Sequence, residues 1–316
     1  MFYIFVFITI FVSELVYFRI ADKFNIIDKP NERSSHSQLT LRGGGIVFYT
    51  GISIFFLLNN FQYPWFFIGL SLITLISFAD DVRPQSSKLR LLIHFTAMGL
   101  MFYEWGLYDF PWYFTIIALI FCTGVLNAYN FMDGINGITG GYSLVVAGCL
   151  LFINQNIINF INTEFIYLLI IALLVFNFFN FRLKAKCFAG DVGSVSMAFI
   201  LIFIIGKLII NTGNLGYIIL LSVYGVDSVL TIIHRIILKE NIFDAHRKHA
   251  YQLLANELKI PHLIVSLFYA FLQLIIALGF YAFIDYPYYY LSATIILLAV
   301  AYVIFKLKYF HLHKNV

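Results

Sequence analysis

The chain has 316 residues, 61% of them hydrophobic and only 11% charged, with a mean hydropathy of +0.89 and a formal net charge of +4. An ordinary soluble domain carries about a quarter charged residues, so a water-soluble fold of this size is excluded. Nucleic acid is excluded as a partner too, because the positive residues are sorted along the chain by membrane side instead of forming one binding face.

The 36 Phe and 21 Tyr suit lipid-facing and interfacial positions. Cys122, Cys149 and Cys187 show neither metal-ligand nor disulfide spacing and read as buried small apolar residues. The first apolar stretch, Met1 to Tyr17, has no basic n-region and no small-residue cleavage site, so it is a span and not a signal peptide. A helix needs about 20 apolar residues to cross roughly 30 Å of hydrocarbon. On that measure eleven stretches stand out, near residues 1–21, 43–62, 64–79, 90–103, 111–127, 139–156, 164–181, 193–211, 215–236, 262–283 and 287–306. With no linker and no internal repeat, they predict an all-α polytopic membrane protein with one transmembrane domain over 1–316. The stretches at 64–79 and 90–103 are short, which predicts that the loop bearing Asp80 sinks below the headgroup level.

Consecutive spans alternate sides, and Lys and Arg collect on the cytoplasmic one. Of the 20 Lys and Arg, 19 fall in alternate loops or the C-terminal tail, and only Lys207 lies toward the other side. The expected topology therefore has the N-terminus outside and the C-terminus cytoplasmic.

Acids are costly at a membrane boundary and mark function there. Asp80 and Asp81 end the third span, Asp133 lies in NAYNFMDGINGITGG beside Asn127, Asn130 and Asn136, and Asp191 lies in KAKCFAGDVGS. Carboxylates interleaved with amides suit a hard divalent cation such as magnesium, with manganese as the substitute, and disfavour zinc. Arg33, Arg42, Lys184, Lys186, Arg247 and Lys248 supply donors for phosphate oxygens. Gly43 to Gly45, Gly134, Gly137, Gly190 and Gly193 permit tight turns around a ligand. Together these loops, near 22–42, 80–90, 127–140, 182–192 and 237–261, predict a site for metal-bound pyrophosphate.

Singly, each residue has an ordinary explanation. Asp80 and Asp81 could be a polar helix end, Asn127 and Asn130 terminal amides, and Asp133 and Asp191 Asx-turns before glycine. The basic loop residues follow the positive-inside bias, His246 and His249 could be solvated, and Phe188 could be a boundary aromatic. Glu14 and Asp227 fall inside predicted spans, where an acid marks function or pairing, and Asp227 reads as structural or supportive.

In combination the motifs resemble one family, the polyprenyl-phosphate N-acetylhexosamine-1-phosphate transferases. The resemblance rests on PNxRSSHxxxTxRGGG at 30–45, the acid pair at 80–81, NxxNxxDGINGxxGG at 127–141, FxGDxGS at 188–194 and HRxHxYQ at 246–252. The HRKHAYQLL form is closest to the O-antigen-initiating branch. The chain departs from the family at Leu39 and Leu41, and at Lys184-Ala185-Lys186 followed by FAGD.

The resemblance implies a multi-pass enzyme of the bacterial inner membrane, its site facing the cytoplasm. It would move a sugar-1-phosphate from a UDP-N-acetylhexosamine to polyprenyl phosphate in the bilayer and release UMP. It further implies magnesium on Asp191 and Asn130, with Asp80, Asp81, Asp133 and Asp191 as the catalytic acids. Asn127, Asn136, Phe188, Arg42, His246, Arg247 and His249 would bind substrate, Phe188 near the uracil and the acid pair near the acceptor phosphate. The sugar is left open among N-acetylglucosamine and deoxy relatives, as is the oligomeric state, with a homodimer as one option. Peptidoglycan lipid synthesis by the same chemistry, a prenyl-diphosphate phosphatase and a secondary transporter are the alternatives.

Overall fold

The computed structural model describes residues 1–28, 39–241 and 246–313. In chain order the α-helices are α1 (Phe2–Lys23), α2 (Ile46–Leu58), α3 (Pro64–Val82), α4 (Ser87–Trp105), α5 (Trp112–Met132) and α6 (Ile138–Asn156). They continue as α7 (Thr163–Asn180), α8 (Gly190–Thr212), α9 (Ser222–Ile237), the single turn α10 (Ala250–Gln252), α11 (His262–Ala282) and α12 (Pro287–Tyr309). A 3-10 stretch, Leu215–Leu221, runs directly into α9, and α10 runs into a π-turn at Leu253–Glu257. Among the described residues, nine helices are long and apolar enough to cross a membrane when Leu215–Ile237 is taken as one. The other two stretches expected to span, 43–62 and 90–103, hold α2, which is shorter, and α4, which is not among the nine.

Two expectations are corrected. The stretches at 64–79 and 90–103 belong to helices of 19 residues each, about 28 Å long. Their polar terminal turns, Ala79-Asp80-Asp81-Val82 and Ser87-Lys88-Leu89-Arg90, are helical but too hydrophilic to count as span. Asp80 and Asp81 thus stand on α3 itself, and short helices do not pull their loop into the bilayer. The short helix is α2, with 13 residues. The second correction is a small antiparallel ribbon, β1 (Ile27–Asp28) with β2 (Thr40–Leu41), in register Ile27 to Leu41 and Asp28 to Thr40. Arg33 and the rest of the PNxRSSH segment lie outside the described residues.

The core forms around α8, whose apolar residues are buried along nearly their whole length. Phe66 of α3 stacks on Phe203 at 3.9 Å between ring centroids, and Thr74 and Ser196 share a hydrogen bond of 2.9 Å across the same pair of helices. Helices in lipid gain from close van der Waals packing and small residues at crossings. The start of α2 meets the start of α8 glycine to glycine, so a Cβ added at Gly45 would stand 2.2 Å from Gly193 Cα. The break before α9 is satisfied internally, as backbone in hydrocarbon must be. Gln273 donates to the Ile219 carbonyl at 3.0 Å and accepts from the Val223 N–H at 3.3 Å and the Tyr142 hydroxyl at 2.7 Å.

Gly45→Ala should therefore lower the thermal midpoint of the detergent-solubilised protein, at a cost of about 1–3 kcal/mol, since backbone and not a flexible side chain must move. Gly124→Ala, whose added Cβ meets nothing within 4 Å, should leave the midpoint nearly unchanged. Equal midpoints for the two variants would contradict the crossing.

Candidate active site

The site begins with a helix end. The first N–H groups of α8 have no partner within the helix, and its dipole makes that end positive. The Asp81 carboxylate, fully buried, accepts from the N–H of Asp191 and of Val192, each at 3.0 Å. Arg42 Nε lies 2.6 Å from Asp81 Oδ1, and Arg42 Nη2 lies 3.1 Å from Asp191 Oδ1. Gly190 must be glycine here. Its φ is +70°, and a Cβ would stand 2.5 Å from the Asp81 carboxylate.

The RGGG and CFAGD motifs are two sides of one backbone contact. Phe188 N–H donates to the Leu41 carbonyl at 2.8 Å, Gly44 N–H to Phe188 at 2.9 Å and Gly45 N–H to Ala189 at 3.1 Å. The Tyr17 hydroxyl donates to the Arg42 carbonyl at 2.6 Å, so α1 also fixes that arginine.

The DGING turn is tied to the loop after α7. The Asn136 amide donates to the carbonyls of Arg182 and Leu183, at 2.9 and 3.3 Å. Asn180 accepts from Gly137 N–H and donates to the Cys187 carbonyl, both at 2.8 Å. Asp133 Oδ1 accepts from the Thr139 hydroxyl at 2.7 Å. These ties line up Asn130, Asp133, Asn136, Phe188, Asp191 and Arg42 on the wall of a cavity of about 220 Å³.

Other expected residues stand elsewhere. Asp81 lies behind the wall as an anchor, and Asp80 pairs with Arg90 at 2.8 Å while accepting from Gln85 N–H at 2.6 Å. Asn127 is exposed and donates back to the Thr123 carbonyl of its own helix at 2.9 Å. His246, Arg247 and His249 do not line the cavity. His249 is buried, with Nδ1 3.3 Å from Asp227 Oδ1. Asp227 also accepts from Ala250 N–H at 2.9 Å, Tyr251 N–H at 3.4 Å and the Tyr269 hydroxyl at 2.7 Å. This buried acid therefore caps α10, and the turn that it holds delivers Gln252 to the cavity wall.

Sequence reasoning missed Asp28, Asn180, Ser194, Gln252 and His262, which all line the cavity. Ser194 and Gln252 lie inside motifs already recognised. Asn180 and His262 belong to none.

The model of the family described as "Glycosyl transferase family 4" matches residues 63–209, the part carrying Asp80, Asp81, Asn130, Asp133 and Asp191. Over that stretch the chain is similar to glycosyl transferase family 4. It is 27% identical over 207 residues to the Undecaprenyl-phosphate alpha-N-acetylglucosaminyl 1-phosphate transferase of Yersinia pestis, covering 59% of this chain and 56% of that one. The protein of the same name from Escherichia coli (strain K12) is 27% identical over 213 residues, 59% of this chain and 56% of its own length. A Bacillus subtilis (strain 168) relative, named "Probable undecaprenyl-phosphate N-acetylglucosaminyl 1-phosphate transferase", is 24% identical over 263 residues, 77% and 73% of the two chains. The chain thus spans little more than half the length of the first and second of these.

The electrostatics of this site follow from burial. The Asp133 carboxyl is pushed up to about 7, first by burial, against the Thr139 hydrogen bond, with Asp191 raising it further. The His246 imidazole is pushed down to about 3 by burial and then by His249, Arg235 and Lys248. At neutral pH it is a neutral hydrogen-bonding group and not a cation.

Among the described residues, no group of three or more His, Cys, Asp or Glu is arranged to hold a metal by itself. Asp191 and Asn130 nevertheless put two oxygen donors on one wall, with Asp133 and Asp28 facing the same space. An all-oxygen, acid-rich donor set fits a hard cation that takes its remaining ligands from phosphate and water.

Because the folded chain keeps the Asp133 proton until about pH 7, while a free carboxyl loses it near 3.8, the folded state binds more protons between those values. Stability is then full below about pH 4 and declines as pH rises toward 7. The thermal midpoint of metal-free protein should fall over that window, and Asp133→Asn should flatten the fall. An identical pH profile in the variant would contradict the assignment.

Proposed function

We propose that this chain transfers an N-acetylhexosamine-1-phosphate from a UDP-sugar to undecaprenyl phosphate, releasing UMP, with its site on the cytoplasmic face of the inner membrane. One observation carries the reading: Asp133, Asp191 and Asn130 share a cavity wall with Arg42 where helix ends meet. Acid, amide and guanidinium in one small space match a diphosphate and its cation. The names of the relatives from Yersinia pestis, Escherichia coli and Bacillus subtilis support the same acceptor and the same group transferred.

In this reading Asp191 and Asn130 would hold a magnesium ion, with manganese as a substitute, which would supply positive charge to offset that of the diphosphate. The rest is positioning by the chain, which is what phosphoryl transfer chiefly requires. Arg42 places a guanidinium over the diphosphate. Phe188 offers a ring at the cavity wall against which uracil stacks. An oxygen of the lipid phosphate attacks the sugar-bearing phosphorus, and the bond to the UMP oxygen breaks.

A phosphate monoester has its second pKa near about 6, so the acceptor is largely dianionic and needs no strong base. That agrees with the hydrogen bonding of the acid pair. Asp80 is committed to Arg90 and Gln85, and Asp81 to the N-terminus of α8. Both work as positioning groups. The last basic turn acts at one remove, through Asp227 and Gln252. Clustering of the acids at one end of the bundle distinguishes the site from a midplane carrier site.

With UDP-N-acetylglucosamine and undecaprenyl phosphate as substrates, Asp191→Ala should lower UMP release by at least about 100-fold, the scale of losing a group that organises transition-state charge. Exhaustive chelation should do the same to the unaltered protein and be reversed by added magnesium. Full activity in either case removes this mechanism.

A further inference from the structure

Arg90 belongs to none of the motifs, yet it reaches two of the acids. It sits in the first turn of α4, with Nη1 2.8 Å from Asp80 Oδ2 and 3.7 Å from Asp191 Oδ2. One nitrogen of its fork therefore serves carboxylates from two helices, α3 and α8. The guanidinium has five N–H donors in a planar fork suited to phosphate, so most of its donor capacity remains for another anion.

The two arginines on Asp191 are held differently. Arg42 is fixed: Nε lies 2.6 Å from the fully buried Asp81, its carbonyl accepts from Tyr17, and it lines the cavity. Arg90 is 39% exposed and lies outside the cavity lining. It is flanked on its own helix by the exposed, apolar Leu89 and Leu91. An anion approaching Arg90 thus comes past exposed apolar side chains at the start of α4, whereas an anion approaching Arg42 comes from the cavity.

We propose that Arg90 is a counter-ion that changes partner. It balances Asp80 and Asp191, and it turns from Asp191 onto the phosphate monoester of the lipid acceptor when a divalent cation takes that carboxylate. This rests on the reading given under Proposed function. The cation and the guanidinium compete for the same oxygens of Asp191, and the arriving phosphate gives the guanidinium a second anion. Asp80, at 2.8 Å, keeps Arg90 within reach throughout. Cation binding and acceptor binding are thereby coupled through one side chain.

The test measures Mn2+ affinity, by electron paramagnetic resonance of free Mn2+, for protein in nanodiscs without substrates. Arg90→Gln should bind Mn2+ more tightly by roughly fivefold, since a partly exposed competing pair is lost. Lys88→Gln removes the same charge from the exposed neighbour on α4 and should change the affinity much less. In turnover, Arg90→Gln should raise KM for undecaprenyl phosphate about tenfold while that for UDP-N-acetylglucosamine moves little, and Arg90→Lys should fall between. A purely structural Arg90 gives no gain in Mn2+ affinity. Mn2+ binding and UMP release in the unaltered chain with no such gain in Arg90→Gln, or a gain equal to that of Lys88→Gln, overturns the exchange alone. Failure of the unaltered chain to bind Mn2+ or to release UMP overturns the underlying reading with it.

Discussion

One carboxylate, that of Asp81, holds the site together. It caps the N-terminus of α8 with two backbone hydrogen bonds and also fixes Arg42. The last turn of α3, the RGGG segment and the first turn of α8 meet there. Removing one member of such a buried charged group leaves the others uncompensated, which costs far more than the intact group contributes. The glycines around it follow from this geometry, because Gly190 leaves room for the carboxylate and the Gly45–Gly193 contact lets the helices close over it.

With Asp81 occupied in this way, the acids divide their work. Asp191 and Asp133 face the cavity, Asp80 holds Arg90 outside its lining, and Asp227, far along the chain, caps the turn that brings in Gln252. The division matters because several acids around a small cavity repel one another and invite a cation. It also explains how a membrane protein keeps buried charge in place, since each of these five carboxylates has named donors.

Hydropathy made the long apolar helices legible, and sidedness of Lys and Arg picked out the loops that meet at the site. Helix ends were not legible, because polar turns such as Ala79 to Val82 look like loop when only apolar residues are counted. The two-residue strands β1 and β2 leave no periodicity to read. Motifs showed which segments carry chemistry but not which way each side chain points. Asp80 and Asp81 are neighbours in sequence, and a helical step of about 100° sends one to Arg90 and the other to α8. His249 was expected at the diphosphate and instead turns inward to Asp227, a partner 22 residues away. Asn180 and His262 reach the cavity only through tertiary packing, for which no local pattern exists.

The account stands on transfer of the sugar-bearing phosphorus to the lipid. The most direct measurement follows that atom, using UDP-N-acetylglucosamine labelled in its sugar-linked phosphate together with undecaprenyl phosphate and magnesium. The account predicts that the label enters the lipid phase in step with unlabelled UMP. Label that stays in the aqueous phase, as inorganic phosphate or within UDP, would contradict it.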